Sequence, residues 1–176
     1  REIAQPAPTR RELGLPQDAF VFCCFNNSYK ITAAEFDIWM RLLGNVAGSV
    51  LWLLKSGPLA EQNLRKEAQR RHIDPNRLVF AERAPQALHL ARHCHADLFL
   101  DTFVYNAHTT ASDALWAGLP LVTLAGKGFA SRVAASLLRA CGLAELVTES
   151  PEQYEQLAHA LATDPQTLAQ LRARLA

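Results

Sequence analysis

Just past an apolar run that ends at Phe25 stand Asn26, Asn27, Ser28 and Lys30, and much later in the chain His108, Thr109 and Thr110 stand together at the start of a helical pattern. Two hydroxyls and an imidazole on a helix first turn, beside free backbone N–H groups and the positive end of the helix dipole, suit an anion. Lys30, in a polar loop after a strand, suits a clamp on the same anion. Each feature has an ordinary alternative: a threonine that only caps its helix, and a loop lysine that only faces water. His89 and His93 share a helix face at i, i+4, with Cys94 and His95 beside them, which raises zinc. No second cluster at zinc spacing appears and His95 leaves the helix in another direction, so no metal is expected. No segment reads G-x-G-x-x-G, and Gly126-Lys127-Gly128 lacks the upstream glycine of an ATP-binding loop. Arg65, Lys66, Arg70 and Arg71, with Glu61 and Glu67 nearby, read as a solvated helix face.

These residues need elements to hold them. Residues 1–18 contain Pro6, Pro8 and Pro16 with no sustained period and read as a lead-in to a domain over 19–176. Ala19 to Phe25 is a continuous apolar run, the composition of a strand covered on both faces. Thr32 and Glu35 have capping-box spacing, and Phe36, Ile38, Trp39, Leu42 and Leu43 follow at helical spacing. The alternation then continues, with strands predicted at Ser49–Leu54, Arg77–Phe80, Asp97–Asp101, Leu121–Leu124 and Leu146–Val147. Between them lie helices over Leu59–His72, from Pro85 through Cys94, over Thr109–Ala117 and over Phe129–Ala140, and two more close the chain. Buried strands alternating with helices imply an α/β fold: a Rossmann-like, doubly wound parallel sheet of about six strands with helices on both faces. Ligands on such a sheet bind beyond the carboxyl ends of the strands. That rule gathers residues 26–30, 55–58, 81–85, 101–110 and 125–128 around one crevice.

Composition narrows the function classes. The 176 residues are 49% hydrophobic and 20% charged, a packed globular mix, and 18 Lys and Arg against 17 Asp and Glu give a net charge of +1. That balance carries no field for nucleic acid or acidic lipid. The apolar stretch from Ala114 to Gly126 is interrupted by Gly118 and Pro120 and falls short of the roughly 18 residues a membrane span needs. Cys23, Cys24, Cys94 and Cys141 show no C-x-x-C spacing and no apolar leader precedes them, so they read as reduced, buried thiols of a cytoplasmic protein. The abrupt start at Arg1 and the helical end suggest a piece of something longer.

Several segments, taken in order, resemble one family. They are Phe25-Asn-Asn-Ser-Tyr-Lys-Ile31, Ser49-Val-Leu-Trp-Leu-Leu54, Ala84-Pro85, Asn106-Ala-His-Thr-Thr110, Asp113-Ala-Leu-Trp-Ala-Gly-Leu-Pro-Leu-Val-Thr123 and Ala130-Ser-Arg-Val-Ala-Ala-Ser136. Together they are similar to the O-linked N-acetylglucosamine transferases, in particular to bacterial members, and to the carboxyl-terminal, nucleotide-sugar-binding lobe of their two-lobed GT-B catalytic region. The resemblance implies UDP-N-acetylglucosamine as donor, transfer to a serine or threonine hydroxyl of a protein with inversion, and neither metal nor other cofactor. It also implies an amino-terminal lobe and tetratricopeptide helices outside these residues. Two other readings stay open: a lobe of another GT-B glycosyltransferase or UDP-sugar epimerase, and a non-catalytic nucleotide-binding module.

By that resemblance Lys30 contacts the diphosphate and favours departure of UDP, and His108, Thr109 and Thr110 form the diphosphate triplet. Asn27 stands where the family has a glutamine near the diphosphate, a shorter reach. Ala84 meets uracil through its backbone, His89 and Arg92 pack at the base, and Asp113 meets the ribose. Gln86 replaces a lysine found in family members, a departure at the base and ribose contacts. The absence of a D-x-D motif agrees with Lys30 and a helix terminus in place of a divalent ion.

Overall fold

The computed structural model describes residues 1–175. Its elements alternate: β1 (Val21–Cys24), α1 (Ala33–Asn45), β2 (Val50–Leu54), α2 (Pro58–Arg70), β3 (Leu78–Ala81), α3 (Gln86–Arg92), β4 (Leu98–Leu100), α4 (Thr109–Trp116), β5 (Leu121–Leu124), α5 (Val133–Ala140), β6 (Val147–Thr148), α6 (Pro151–Thr163) and α7 (Pro165–Ala173). All ladders are parallel and the strand order is β3-β2-β1-β4-β5-β6. The chain winds outward in one direction from β1 to β3, then returns to the other side of β1 with β4. The switch point therefore lies between β1 and β4, paired through Phe22 with Leu98 and Cys23 with Phe99.

The doubly wound sheet read from the sequence is the architecture found. Every residue of β1 and β4 is buried, as continuous apolar strands covered by helices on both faces must be. The capping box is present: the Thr32 N–H donates to Glu35 Oε1 at 2.6 Å, which starts α1 and turns Phe36, Trp39, Leu42 and Leu43 into the core. Buried Tyr154 of α6 ties the far helices to the sheet, accepting from Trp39 Nε1 at 3.1 Å and donating to the Asp101 carbonyl at 2.9 Å. Gly118, at φ +76°, turns the chain out of α4 ahead of Pro120 and β5.

Three expectations need correction. The helix predicted over Phe129–Ala140 is broken into a 3-10 turn at Phe129–Ser131 and α5 from Val133. The cause is close packing at Gly126, whose N–H donates to the Ser131 carbonyl at 2.8 Å; a Cβ there would sit 2.2 Å from Ser131 Oγ. Pro85 sits just before α3 as its cap, and α3 gives way to a 3-10 turn at His93–His95. That turn leaves Cys94 exposed, and Cys141 at the end of α5 is exposed too, so only Cys23 and Cys24 are buried thiols.

Residues 1–18 lie against the domain. Ala4 N–H donates to the Ala87 carbonyl, and Arg10 reaches the Ala19 and His95 carbonyls at 2.8 and 3.2 Å and pairs with Asp97. Leu15 is buried in the core. No described helix is long and apolar enough to cross a membrane.

Candidate functional site

The β1–α1 and β4–α4 loops meet at the switch point, and they bring Lys30 to the segment before α4. Lys30 Nζ donates to the Asn106 carbonyl at 3.1 Å and lies 3.8 Å from the Tyr105 ring centroid. The lysine is half-buried, and burial lowers its pKa while the charge of Asp101 works the other way. Beside it α4 begins at Thr109 with His108 as its cap residue, so the first backbone N–H groups of α4 open next to an ammonium. Thr109 is exposed. Thr110 donates its hydroxyl to Asn26 Oδ1 at 2.5 Å, and His108 Nε2 bonds the Ala130 carbonyl at 3.2 Å. The donors left over at rest are thus the remaining N–H groups of Lys30, Thr109 and the helix terminus, while Thr110 and His108 tie the helix start to the end of β1 and to the β5–α5 turn.

Asn27, expected near the same anion, accepts from Arg83 Nη2 at 3.2 Å and so links the β1–α1 loop to the β3–α3 loop. Ala84 is exposed in that second loop, next to Arg83. Arg92 is buried: it donates to the Glu82 carbonyl at 2.6 Å, bonds His89 Nδ1, and lies 4.5 Å from the Phe25 ring and 5.8 Å from that of Trp52. His89 is half-buried with its ring 5.2 Å from that of Phe25. Burial first, then the nearby positive groups, pushes His89 down to about 3; burial likewise takes His93 to about 4. Both imidazoles are neutral at ordinary pH, and the Arg92 bond to Nδ1 leaves His89 Nε2 as the ring donor. A groove of about 410 Å³ opens beside Ala84 and Arg92, lined also by Leu13, Phe80, Glu82 and Leu88.

Asp113 lies one turn along α4 from Thr109 and makes its side-chain contact elsewhere. Its nearly buried carboxylate pairs with Arg1 Nη1 at 2.6 Å, and Arg1 also donates to Ser112 Oγ at 3.1 Å. Burial raises the Asp113 pKa against the pull of Arg1. Among the described residues no group of three or more His, Cys, Asp or Glu side chains is placed to hold a metal ion.

Sequence reasoning passed over the buried polar layer beneath these residues. Asn26, Asp101, Thr102 and Asn106 are all buried at the ends of β1 and β4. Asp101 is pushed up to about 7 by burial, against hydrogen bonds from Thr123, Ala107, Thr102 and Asn26. One signal was in reach: an aspartate closing the apolar stretch Leu98-Phe-Leu100, at the strand expected to border the switch point.

Residues 4–176 match the model of glycosyl transferase family 41. The chain is 43% identical over 167 residues to the UDP-N-acetylglucosamine-peptide N-acetylglucosaminyltransferase of Caenorhabditis elegans, covering 95% of this chain and 14% of that protein. It is 38% identical to the probable enzyme of the same description, SEC, of Arabidopsis thaliana, covering 96% of this chain and 17% of that one. The chain therefore spans less than a fifth of the length of these curated relatives. Among solved structures, the K341M mutant of Thermobaculum terrenum O-GlcNAc transferase superposes with a TM-score of 0.85 at 34% identity, over 91% of this chain and 33% of that one. The carboxyl-terminal CMP-Kdo-binding domain of WaaA from Acinetobacter baumannii shares the fold alone, with a TM-score of 0.62 at 10% identity, over 94% of this chain and 91% of that domain. The sheet order, the strand-end crevice and the match over nearly the whole chain agree: this chain belongs to glycosyl transferase family 41.

Proposed function

We propose that this chain is the UDP-N-acetylglucosamine-binding lobe of an inverting, metal-independent glycosyltransferase that modifies serine and threonine hydroxyls of proteins. The observation that carries the reading is the seating of Lys30 on the Asn106 carbonyl, in the loop that leads into the start of α4. In the reaction the acceptor oxygen attacks the anomeric carbon from the side opposite UDP. The bond to the β-phosphate oxygen breaks and its electron pair stays on UDP. Lys30 and the first N–H groups of α4 meet the charge that develops there. In many glycosyltransferases a divalent ion does this work. Here the carboxylates of Asp101 and Asp113 are engaged, the first by N–H and hydroxyl donors and the second by Arg1, and a fixed cation supplies the field instead.

The α3 side suits the base. Ala84 and Arg92 border the groove there, and His89 stands behind Arg92 with its ring against that of Phe25. Asp113 reaches a ribose by exchanging its pairing with Arg1. The proton of the acceptor passes to a base on the amino-terminal lobe, which together with tetratricopeptide helices and the protein acceptor completes the enzyme, in the cytoplasm. The relatives' printed activities support this reading over a non-catalytic module or an epimerase.

Calorimetry on the protein with UDP, ADP and GDP tests it. The account expects UDP to bind most tightly and EDTA to leave that binding unchanged. Equal affinities would reduce the site to a generic phosphate cradle, and a loss on chelation would overturn the metal-independent reading.

A further inference from the structure

Asp101 is fully buried at the carboxyl end of β4, and both its oxygens are in use. Oδ1 accepts the Thr102 N–H at 2.8 Å and the Ala107 N–H at 2.6 Å, with Asn26 Nδ2 at 3.4 Å. Oδ2 accepts the Thr123 hydroxyl of β5 at 2.7 Å. One carboxylate oxygen thus holds backbone N–H groups from both ends of the loop 102–107 and closes it into a ring. Inside the ring Asn106 Nδ2 donates to the Thr102 carbonyl at 2.7 Å and the Thr102 hydroxyl to the Tyr105 carbonyl at 2.6 Å. The Asn106 carbonyl is left for Lys30, and the chain passes from Ala107 directly into His108 and α4. Asn26, at 2.8 Å from the Thr102 hydroxyl, carries the same layer across to Thr110.

Burying a carboxylate is costly unless several donors meet it, and here the donors are those that fix the loop. We propose that Asp101 is a positioning residue for the nucleoside diphosphate: by closing the 102–107 loop it fixes the carbonyl that seats Lys30 and the point at which α4 begins. The role rests on the nucleotide reading above, and it acts through Lys30 and α4 without touching the ligand. A purely structural Asp101 would lower stability and leave the folded protein's affinity alone.

The test uses full-length protein with Asp101→Ala, Asp101→Asn and Lys30→Ala alone and in combination, folding being checked by circular dichroism and UDP affinity by calorimetry. Asp101→Ala, which leaves two loop N–H groups without their acceptor, is expected to weaken UDP about tenfold or more. Asp101→Asn keeps an oxygen for both N–H groups and is expected to stay within about threefold. Lys30→Ala should cost about tenfold in the parent and about twofold or less beside Asp101→Ala, because the lysine has already lost its seat. A folded Asp101→Ala protein with parental affinity, or full additivity with Lys30→Ala, overturns the proposal. If Asp101→Ala does not fold, Asp101→Asn decides: an undiminished Lys30→Ala effect in that background supports loop closure, and a tenfold loss of UDP contradicts it. If the parent binds no UDP, the nucleotide reading fails by itself. Hydrogen exchange then judges Asp101, the Thr102 and Ala107 amides being slow in the parent and in Asp101→Asn under the proposal, and no slower than their neighbours if it is wrong.

Discussion

On the α3 side of the crevice a buried guanidinium lies against aromatic rings, with Arg92 beside Phe25 and Trp52, its bonds going to the Glu82 carbonyl and to a neutral His89. On the α4 side a buried carboxylate, Asp101, gathers N–H and hydroxyl donors around the loop that seats a lysine and leads into a helix terminus. One half is a wall of aromatic rings with a guanidinium and a neutral imidazole against it; the other is a set of donors with an ammonium. A uridine diphosphate has the same two parts. The difference teaches that one sheet edge can present both surfaces because a different strand end supplies each. The two halves also meet acid in opposite ways, since burial depresses the histidines and raises the aspartate.

The largest effect should come from the α4 side. In the complete enzyme Lys30→Ala should lower kcat by about a hundredfold and change KM much less, because a charge beside the leaving diphosphate matters most as negative charge develops. His108→Ala should be milder, since Thr109 and the helix terminus remain. Steady-state kinetics on folded variants checks both, and full activity in Lys30→Ala would leave the α4 side with no catalytic part.

A smaller effect sharpens the contrast in acid. His89 and His93, near 3 and 4 in the folded state against 6.5 unfolded, contribute stability that is present above pH 6.5 and lost as pH falls toward 4. Asp101, near 7 against 3.8, has the opposite sign: its contribution is complete below pH 3.8 and lost as pH rises through 7. Between pH 5 and 6.5 the histidines lose stability as pH falls while Asp101 gains it. Urea unfolding of Asp101→Asn over that range should therefore show a steeper fall than the parent, by about one proton or about 1.4 kcal/mol per pH unit. Parallel curves would mean that Asp101 does not take up a proton in the folded state there.

Much of this was legible in the residues. Continuous apolar strands such as Val50–Leu54 and the Thr32 and Glu35 spacing announce a doubly wound sheet, and its ligand rule points at Lys30 and the His108 triplet before any side chain is placed. The polar layer was hidden because it depends on strand order. Asn26 and Asp101 are 75 residues apart and meet only because β4 returns to lie beside β1. The break before α5 was hidden for a similar reason, since it follows from the approach of Ser131 to Gly126 and from no helix-breaking residue. The exposure of Cys94 follows from a 3-10 turn whose spacing does not differ from that of the helix before it.

The central claim is that the crevice between β1 and β4, with α3 on one side and α4 on the other, is where a uridine diphosphate binds. Hydrogen–deuterium exchange of the protein with and without saturating UDP tests it most directly. The account predicts slowed exchange in residues 26–31, 83–93 and 101–113, the segments that carry Lys30, Ala84 to Arg92, and Asp101 to Asp113. No change is expected in the separate groove of about 340 Å³ between α1 and α6, lined by Leu42, Glu155 and His159. Protection confined to that groove, or spread evenly over the sheet with none at the strand ends, would contradict it.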